Sequence, residues 1–275
     1  MADACSTDRE TFAGTPFERA LIAACAADES VLRRELAAEL CGAGFELFFD
    51  DYRATSRRDD AARELPNLLA VRGAPRVCLV AHTDLVRDHR GYAGDRGRVE
   101  PIVRRDPATC RRIVTDRTNA TQVGGDDRVG VAIARMIALE SRRAIAILLT
   151  TDEEIGLQGA AAVPDAWLER FELFVQIDRG SRFGRELVTQ IGGTRLCSAE
   201  REARLLAIAE ALGAPRVPVV GGSTDVAELK AHGMRADAVN LTCGYYAPHS
   251  ADEWVDVEEA EEAARYVRAI LDSEG

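Results

Sequence analysis

At 275 residues the chain can bury a full core, and its 47% hydrophobic and 29% charged residues are ordinary for a globular protein. A formal net charge of −11 argues against nucleic acid or an anionic membrane as a partner. Seven scattered cysteines with no CxxC fit free thiols in a reducing cytoplasm, and neither a secretory pattern nor a membrane-length apolar run is present.

Residues 1–10 read as loose. Helical segments follow at 17–26 and 30–40, the second with Ser30 as candidate N-cap and with Gly42 and Gly44 as breakers. Residues 45–49 read as a strand and 50–64 as a polar connection. Residues 67–71 and 77–82 look like a strand pair turned at Gly73 and Pro75. Residues 85–122, rich in Arg, Asp and Gly, read as a long excursion with short strands near 99–103 and 112–115. Over 127–139 the apolar set Val129, Ala132, Ile133, Met136 and Ile137 has helical spacing. The apolar run at 144–149 reads as a buried parallel strand that discharges into Asp152-Glu153-Glu154. Next come a helix near 168–171, a strand at 173–177 running into Asp178-Arg179-Gly180, and a strand at 187–190. An Ala-rich helix at 199–212 ends at Gly213 and Pro215. A strand at 217–220 precedes a helix capped by Thr224 and reaching about Lys230, and 238–241 reads as the last strand. The final helix starts near Asp256, with Glu259 at the capping-box offset and an apolar stripe from Ala260 to Leu271. Strands alternating with helices imply an α/β fold, a mostly parallel mixed sheet sandwiched between helices, in a single domain over 1–275.

Five places carry residues suited to a metal, and each falls at an expected strand end or helix start: His82-Thr83-Asp84, Asp126-Asp127, Glu153-Glu154, Asp178 and Pro248-His249. Taken singly, each has a plainer reading. His82 could be a satisfied core histidine, Asp126 a helix N-cap, Asp178 a turn acid and His249 a loop residue. Asp84 strengthens the ligand reading of His82, because a metal-bound imidazole commonly donates its other N–H to a carboxylate. His89 and His232 have no such context and read as surface or packing residues. A single sheet edge could gather all five places, whereas plainer readings must be found for each separately.

The ordered motifs HTD, GGDDRVG, TTDEEIGLQGA, IDRG and PHS–DE resemble the co-catalytic di-zinc exopeptidases, the superfamily of peptidase T, the tetrahedral aminopeptidases and the bacterial leucyl aminopeptidases. The resemblance implies that His82 and Asp178 hold one metal, Glu154 and His249 the other, and that Asp126 bridges them. It implies Glu153 as general base, Asp84 as the partner of His82, and an Asp126–Asp127 bond that is often cis in such families. Two Zn2+ are the implied cofactors, with Co2+ or Mn2+ also suited to the donors. The implied reaction is amide hydrolysis by a metal-bridging hydroxide on a small peptide, aminoacyl or N-acyl substrate.

The chain departs from many relatives in carrying no sizeable inserted domain: roughly forty residues separate Asp178 from the segment Gly221–Asp225. A lid must come from 85–122 or from a partner chain in a homo-oligomer. That segment resembles a GG-x-D motif, readable as pocket-lining backbone or as a helix cap, and Tyr245 and Tyr246 either line the pocket or pack beneath it. Aspartate at 178 looks more typical of aminopeptidases, so an aminopeptidase or di/tripeptidase is the expectation. An N-acyl-amino-acid deacylase, a catalytically inactive metal-binding module and a magnesium phosphohydrolase remain alternatives.

Overall fold

The computed structural model describes residues 14–53, 65–89 and 98–275; the loose terminus expected at 1–10, most of the 50–64 connection and part of the 85–122 excursion lie outside the described residues. Apolar, β-branched runs that bury both faces make the centre of the fold. In chain order the strands are β1 (Glu46–Phe49), β2 (Leu68–Arg72), β3 (Val77–His82), β4 (Pro101–Arg105), β5 (Arg112–Asp116), β6 (Ile145–Thr150) and β7 (Leu173–Arg179). They continue with β8 (Glu186–Ile191), β9 (Thr194–Arg195), β10 (Val217–Gly221), β11 (Asp237–Thr242), β12 (Tyr245–Tyr246) and β13 (Trp254–Asp256). The α-helices are α1 (Pro16–Ala26), α2 (Glu29–Gly42), α3 (Gly125–Glu140), α4 (Gln158–Ala162), α5 (Asp165–Leu168), α6 (Ala199–Ala211), α7 (Asp225–Ala231) and α8 (Val257–Glu274).

A nine-stranded mixed sheet runs β1-β2-β6-β3-β7-β11-β8-β10, with β9 on β8. Its centre, β6-β3-β7-β11, is parallel, and antiparallel pairs flank it. The side chains of β3 divide by parity. Val77, Leu79 and Ala81 join the core beneath α1, α2, α3 and α8, while Cys78 and Val80 face the second core beneath α4, α5 and α7. Both faces are therefore covered, which is why these runs lack polar alternation. Among the described residues no helix is long and apolar enough to cross a membrane.

The expected pairing of β2 with β3 is not formed. Strand β6 inserts between them, antiparallel to β2 (Ala70↔Ile147) and parallel to β3 (Leu79↔Ile147). Gly73, at φ +72°, lies against Ala144, where an added Cβ would sit 3.0 Å from the alanine Cβ. The link thus crosses over the start of β6 instead of folding back as a hairpin. The strand expected at 238–241 is not the last one. Strands β12 and β13 follow it and join β5 and β4 in a four-stranded sheet, β12-β13-β5-β4.

Local signals also shift. Ser30 lies inside α2, whose N-cap is Asp28, and the helix expected near 168–171 is instead α5 at Asp165–Leu168. Thr224 holds the N-cap position of α7 but its hydroxyl does not cap; it donates to Gln176 Oε1 at 2.7 Å. Asp256 does cap α8, accepting the Glu259 N–H at 3.0 Å, and the Ala260-to-Leu271 stripe is buried as expected. Cys25, Cys78, Cys197 and Cys243 are buried free thiols.

Candidate metal centre

The carboxyl ends of parallel strands leave backbone groups and loops converging on one edge, and this chain loads that edge with acids and imidazoles. His82 closes β3, Asp178 lies near the end of β7, and Glu153 and Glu154 follow β6. Asp126 stands in the first turn of α3, where it and Asp127 have non-helical torsions and share a cis peptide bond. His249 comes from the loop between β12 and β13, at φ +64°, a left-handed backbone that non-glycine residues adopt at a cost.

Asp126 lies between the two imidazoles. Its Oδ1 is 3.0 Å from His82 Nε2, and its Oδ2 is 3.3 Å from His249 Nε2. Asp178 Oδ1 approaches His82 Nε2 at 3.7 Å, and Glu154 Oε2 approaches His249 Nε2 at 2.9 Å. All five side chains expected to hold metal are therefore gathered, two acids around each imidazole with Asp126 common to both. Asp127 also comes near His82 and Asp178, but it accepts the backbone N–H groups of Gly130 (3.0 Å) and His82 (3.3 Å) and so braces the loop from behind.

The acids exceed what two imidazoles can neutralise. Burial raises the Asp178 carboxyl to about 7, reinforced by the charge of Asp126. Burial pushes Glu153 up to about 10; His82 offsets part of this, and Asp178, Asp225 and Asp126 add to it. For Asp126 burial opposes the charge, but hydrogen bonds from His249 and His82 prevail and hold the carboxyl below its ordinary value. Hydrogen bonds to Asp126 and Glu154 raise His249 to about 10. Burial opposes protonation of His82, yet bonds to Asp126, Asp178 and Asp84 lift it well above its ordinary value. The acids around each imidazole thus call for positive charge at both positions. Glu154 Oε1, buried, has no hydrogen-bond partner among the described residues. Imidazole nitrogens with clustered carboxylates suit zinc, cobalt or manganese, so the residues present fit divalent metal.

Supports surround this set. Asp84 is wholly buried, and His82 Nδ1 lies 3.1 Å from its backbone carbonyl and 3.4 Å from its Oδ1. Asp178 is held by Gln176 Nε2 (3.0 Å), the Tyr245 hydroxyl (3.3 Å) and Asn240 Oδ1 on its own N–H (2.9 Å). Tyr245 therefore serves the site, whereas Tyr246 stacks on Trp254 with ring centroids 4.1 Å apart and hydrogen-bonds Glu259. A cleft of about 370 Å³ opens over the centre, with Glu153, Arg179, Arg182, Phe183, Gly222 and Ser223 among its walls. Glu153 borders this cleft and belongs to neither group of converging ligand atoms around His82.

Glu253 and His89 are among the buried groups beside the site that the sequence reading gives no role. Glu253 accepts the N–H of Gly124 (2.6 Å) and of Asp126 (3.1 Å), fastening the loop that carries Asp126. Its signal is the final acid of the PHS–DE motif. His89, expected to be a surface or packing residue, is buried against Asp84. Nothing local marks it, because it follows an irregular stretch seven positions beyond His82. His232 does sit apart, half-exposed, with Nδ1 3.1 Å from the Glu228 carbonyl of its own helix.

A mixed α/β sheet with this donor set at its strand ends defines a metal-dependent hydrolase. The sequence matches the model of peptidase family M28 over residues 118–272, and the chain belongs to that family. No curated protein matches the sequence. Among solved structures, aminopeptidase PepT from Bacillus cereus superposes with TM-score 0.71 at 16% identity, covering 93% of this chain and 97% of that one. A tripeptidase from Staphylococcus aureus gives TM-score 0.68 at 15% identity, covering 93% and 96%. The TET1 peptidase of Pyrococcus horikoshii, which can assemble into a tetrahedron or a large octahedral shell, gives 0.62 at 14%, covering 93% and 99%.

Proposed function

We propose that this chain is a two-zinc aminopeptidase that removes amino-terminal residues from short peptides, in the cytoplasm, as a homo-oligomer. The observation that carries the reading is the position of Asp126, with one carboxylate oxygen on each imidazole. His82 and Asp178 would hold one ion, Glu154 and His249 the other, with Asp126 shared. Bound there, divalent ions supply Lewis acidity, acidifying water and polarising a substrate carbonyl.

The chain's own groups do the rest. Glu153 borders the cleft outside the proposed ligand set, where its carboxylate can meet a water on the centre. It takes the proton of the attacking water and passes it to the departing amine nitrogen. Asp84 orients the His82 ring through Nδ1. Tyr245 and Gln176 keep Asp178 turned toward the centre. The acidic floor favours the protonated α-amine of a peptide. Arg182 on the cleft wall suits a substrate carboxylate, which sustains an N-acyl-amino-acid deacylase as the second reading, whereas Arg179 is paired with Glu186 at 2.8 Å.

The test is turnover of zinc-loaded protein on aminoacyl amides, tripeptides and N-acyl amino acids. Release of amino-terminal residues from the first two is expected. Cleavage of N-acyl substrates alone would move the function to the second reading, and no turnover on any substrate would overturn both.

A further inference from the structure

His89 is buried beside the centre without belonging to its ligand set. Its Nε2 donates to Asp84 Oδ2 at 2.9 Å. Asp84 is the hub of this corner. Its Oδ1 accepts the N–H of Glu153 (3.1 Å) and faces His82 Nδ1 (3.4 Å), and its Oδ2 accepts the N–H of Glu154 (3.2 Å) as well as the bond from His89. One carboxylate thus ties together a ring in the ligand set, the backbone of the proton acceptor and the backbone of another ligand. The two oxygens of a carboxylate move as a unit, so a donor fixed on Oδ2 sets the angle at which Oδ1 meets His82.

Behind His89, its Nδ1 faces Asp152 Oδ1 at 3.9 Å, beyond hydrogen-bond reach, and the Tyr52 hydroxyl donates to Asp152 Oδ2 at 2.7 Å. Asp152 is fully buried and has φ +56°, a left-handed backbone immediately before Glu153 and Glu154. Hydrogen bonds thus join Tyr52 to Asp152 and His89 to Asp84, and the Asp152 carboxylate faces the His89 ring between these two pairs at the corner where the loop after β1 meets the ends of β6 and β3.

We propose that His89 is a positioning residue of the metal centre, acting through Asp84 to orient the His82 ring and the Glu153–Glu154 backbone. The proposal rests on the reading that His82 holds a metal ion. Partners beyond the direct ligands typically govern about 10–100-fold in metal affinity or activity.

The experiment compares wild type with His89→Leu, His89→Gln, His89→Asn and Asp84→Asn, reading zinc retention against a chelator alongside kcat and KM. His89→Leu is expected to release one of the two ions about tenfold more readily and to lower kcat with little change in KM. His89→Gln, whose amide N–H reaches toward the place of Nε2, restores most of both; His89→Asn, which mimics the other nitrogen, does not. Combined with Asp84→Asn, His89→Leu adds less than its separate effect, because both act on one contact. If His89→Leu fails to fold, the contrast between the Gln and Asn variants carries the test. Wild-type retention and kcat in the Leu and Asn variants would overturn the proposal while leaving the metal reading intact. A wild-type chain that retains no zinc would overturn both.

Discussion

Beside the small sheet, Glu18, Glu258 and Glu261 gather around Arg112 at 2.8, 2.8 and 2.9 Å; at the strand ends of the large sheet, Asp126, Glu154 and Asp178 gather around two imidazoles. The first cluster carries its own cation on a side chain that is 24% exposed, and each acid meets a separate guanidinium nitrogen. The second is more deeply buried and leaves Glu154 Oε1 without a partner among the described residues. Where every acid meets its own nitrogen on a partly exposed guanidinium, the cluster is structural. Where a buried carboxylate oxygen is left without a donor, the cluster is a site.

The largest expected effect separates proton transfer from metal holding within the second region. Glu153→Gln should lower turnover about 10²–10⁴-fold. Zinc content by atomic absorption should stay at the wild-type level, because His82, Asp126, Glu154, Asp178 and His249 are all retained. Loss of metal with turnover would make it a ligand instead.

Arg112→Met breaks the comparison from the other side. It strands three carboxylates and should lower stability by about 2 kcal/mol in a denaturant melt. Zinc retention should be unchanged, and a parallel loss of metal would show that the two regions are coupled.

The smallest effect is a pH slope. Burial raises Asp256, near the Arg112 cluster, to about 6. The folded state therefore holds this proton where the unfolded state has released it, and stability contributed by the group falls as pH rises from about 4 toward 6. Asp256→Asn keeps a capping side chain on α8 and should flatten that slope in thermal melts between pH 4 and 7. An unaltered slope would assign it to other acids.

The same contrast explains what the amino-acid order discloses. His82, Glu153, Glu154 and Asp178 adjoin apolar runs long enough to read as buried strands, so their meeting at one edge follows from strand direction alone. His249 and Asp126 were legible through motif order, and the structure brings both to that edge. His89 was not, since its role depends on where an irregular turn returns it. Strands β12 and β13 span two and three residues, too short for periodicity to register. The insertion of β6 between β2 and β3 is likewise a long-range choice, decided by the need to cover strands that are apolar on both faces. Ser30 and Thr224 show a further limit. Cap-type residues are recognisable, but the competing acceptor that diverts Thr224, Gln176 on β7, lies 48 positions away.

The central claim is that Asp126 is shared between two ions, and metal content of wild type and Asp126→Ala after dialysis against a weak chelator tests it most directly. Wild type should keep about two zinc ions per chain. The variant should lose tight binding at both positions, because each has lost the same carboxylate. A variant that keeps one ion at wild-type affinity, or both, would contradict the shared role of Asp126 and with it the two-metal account.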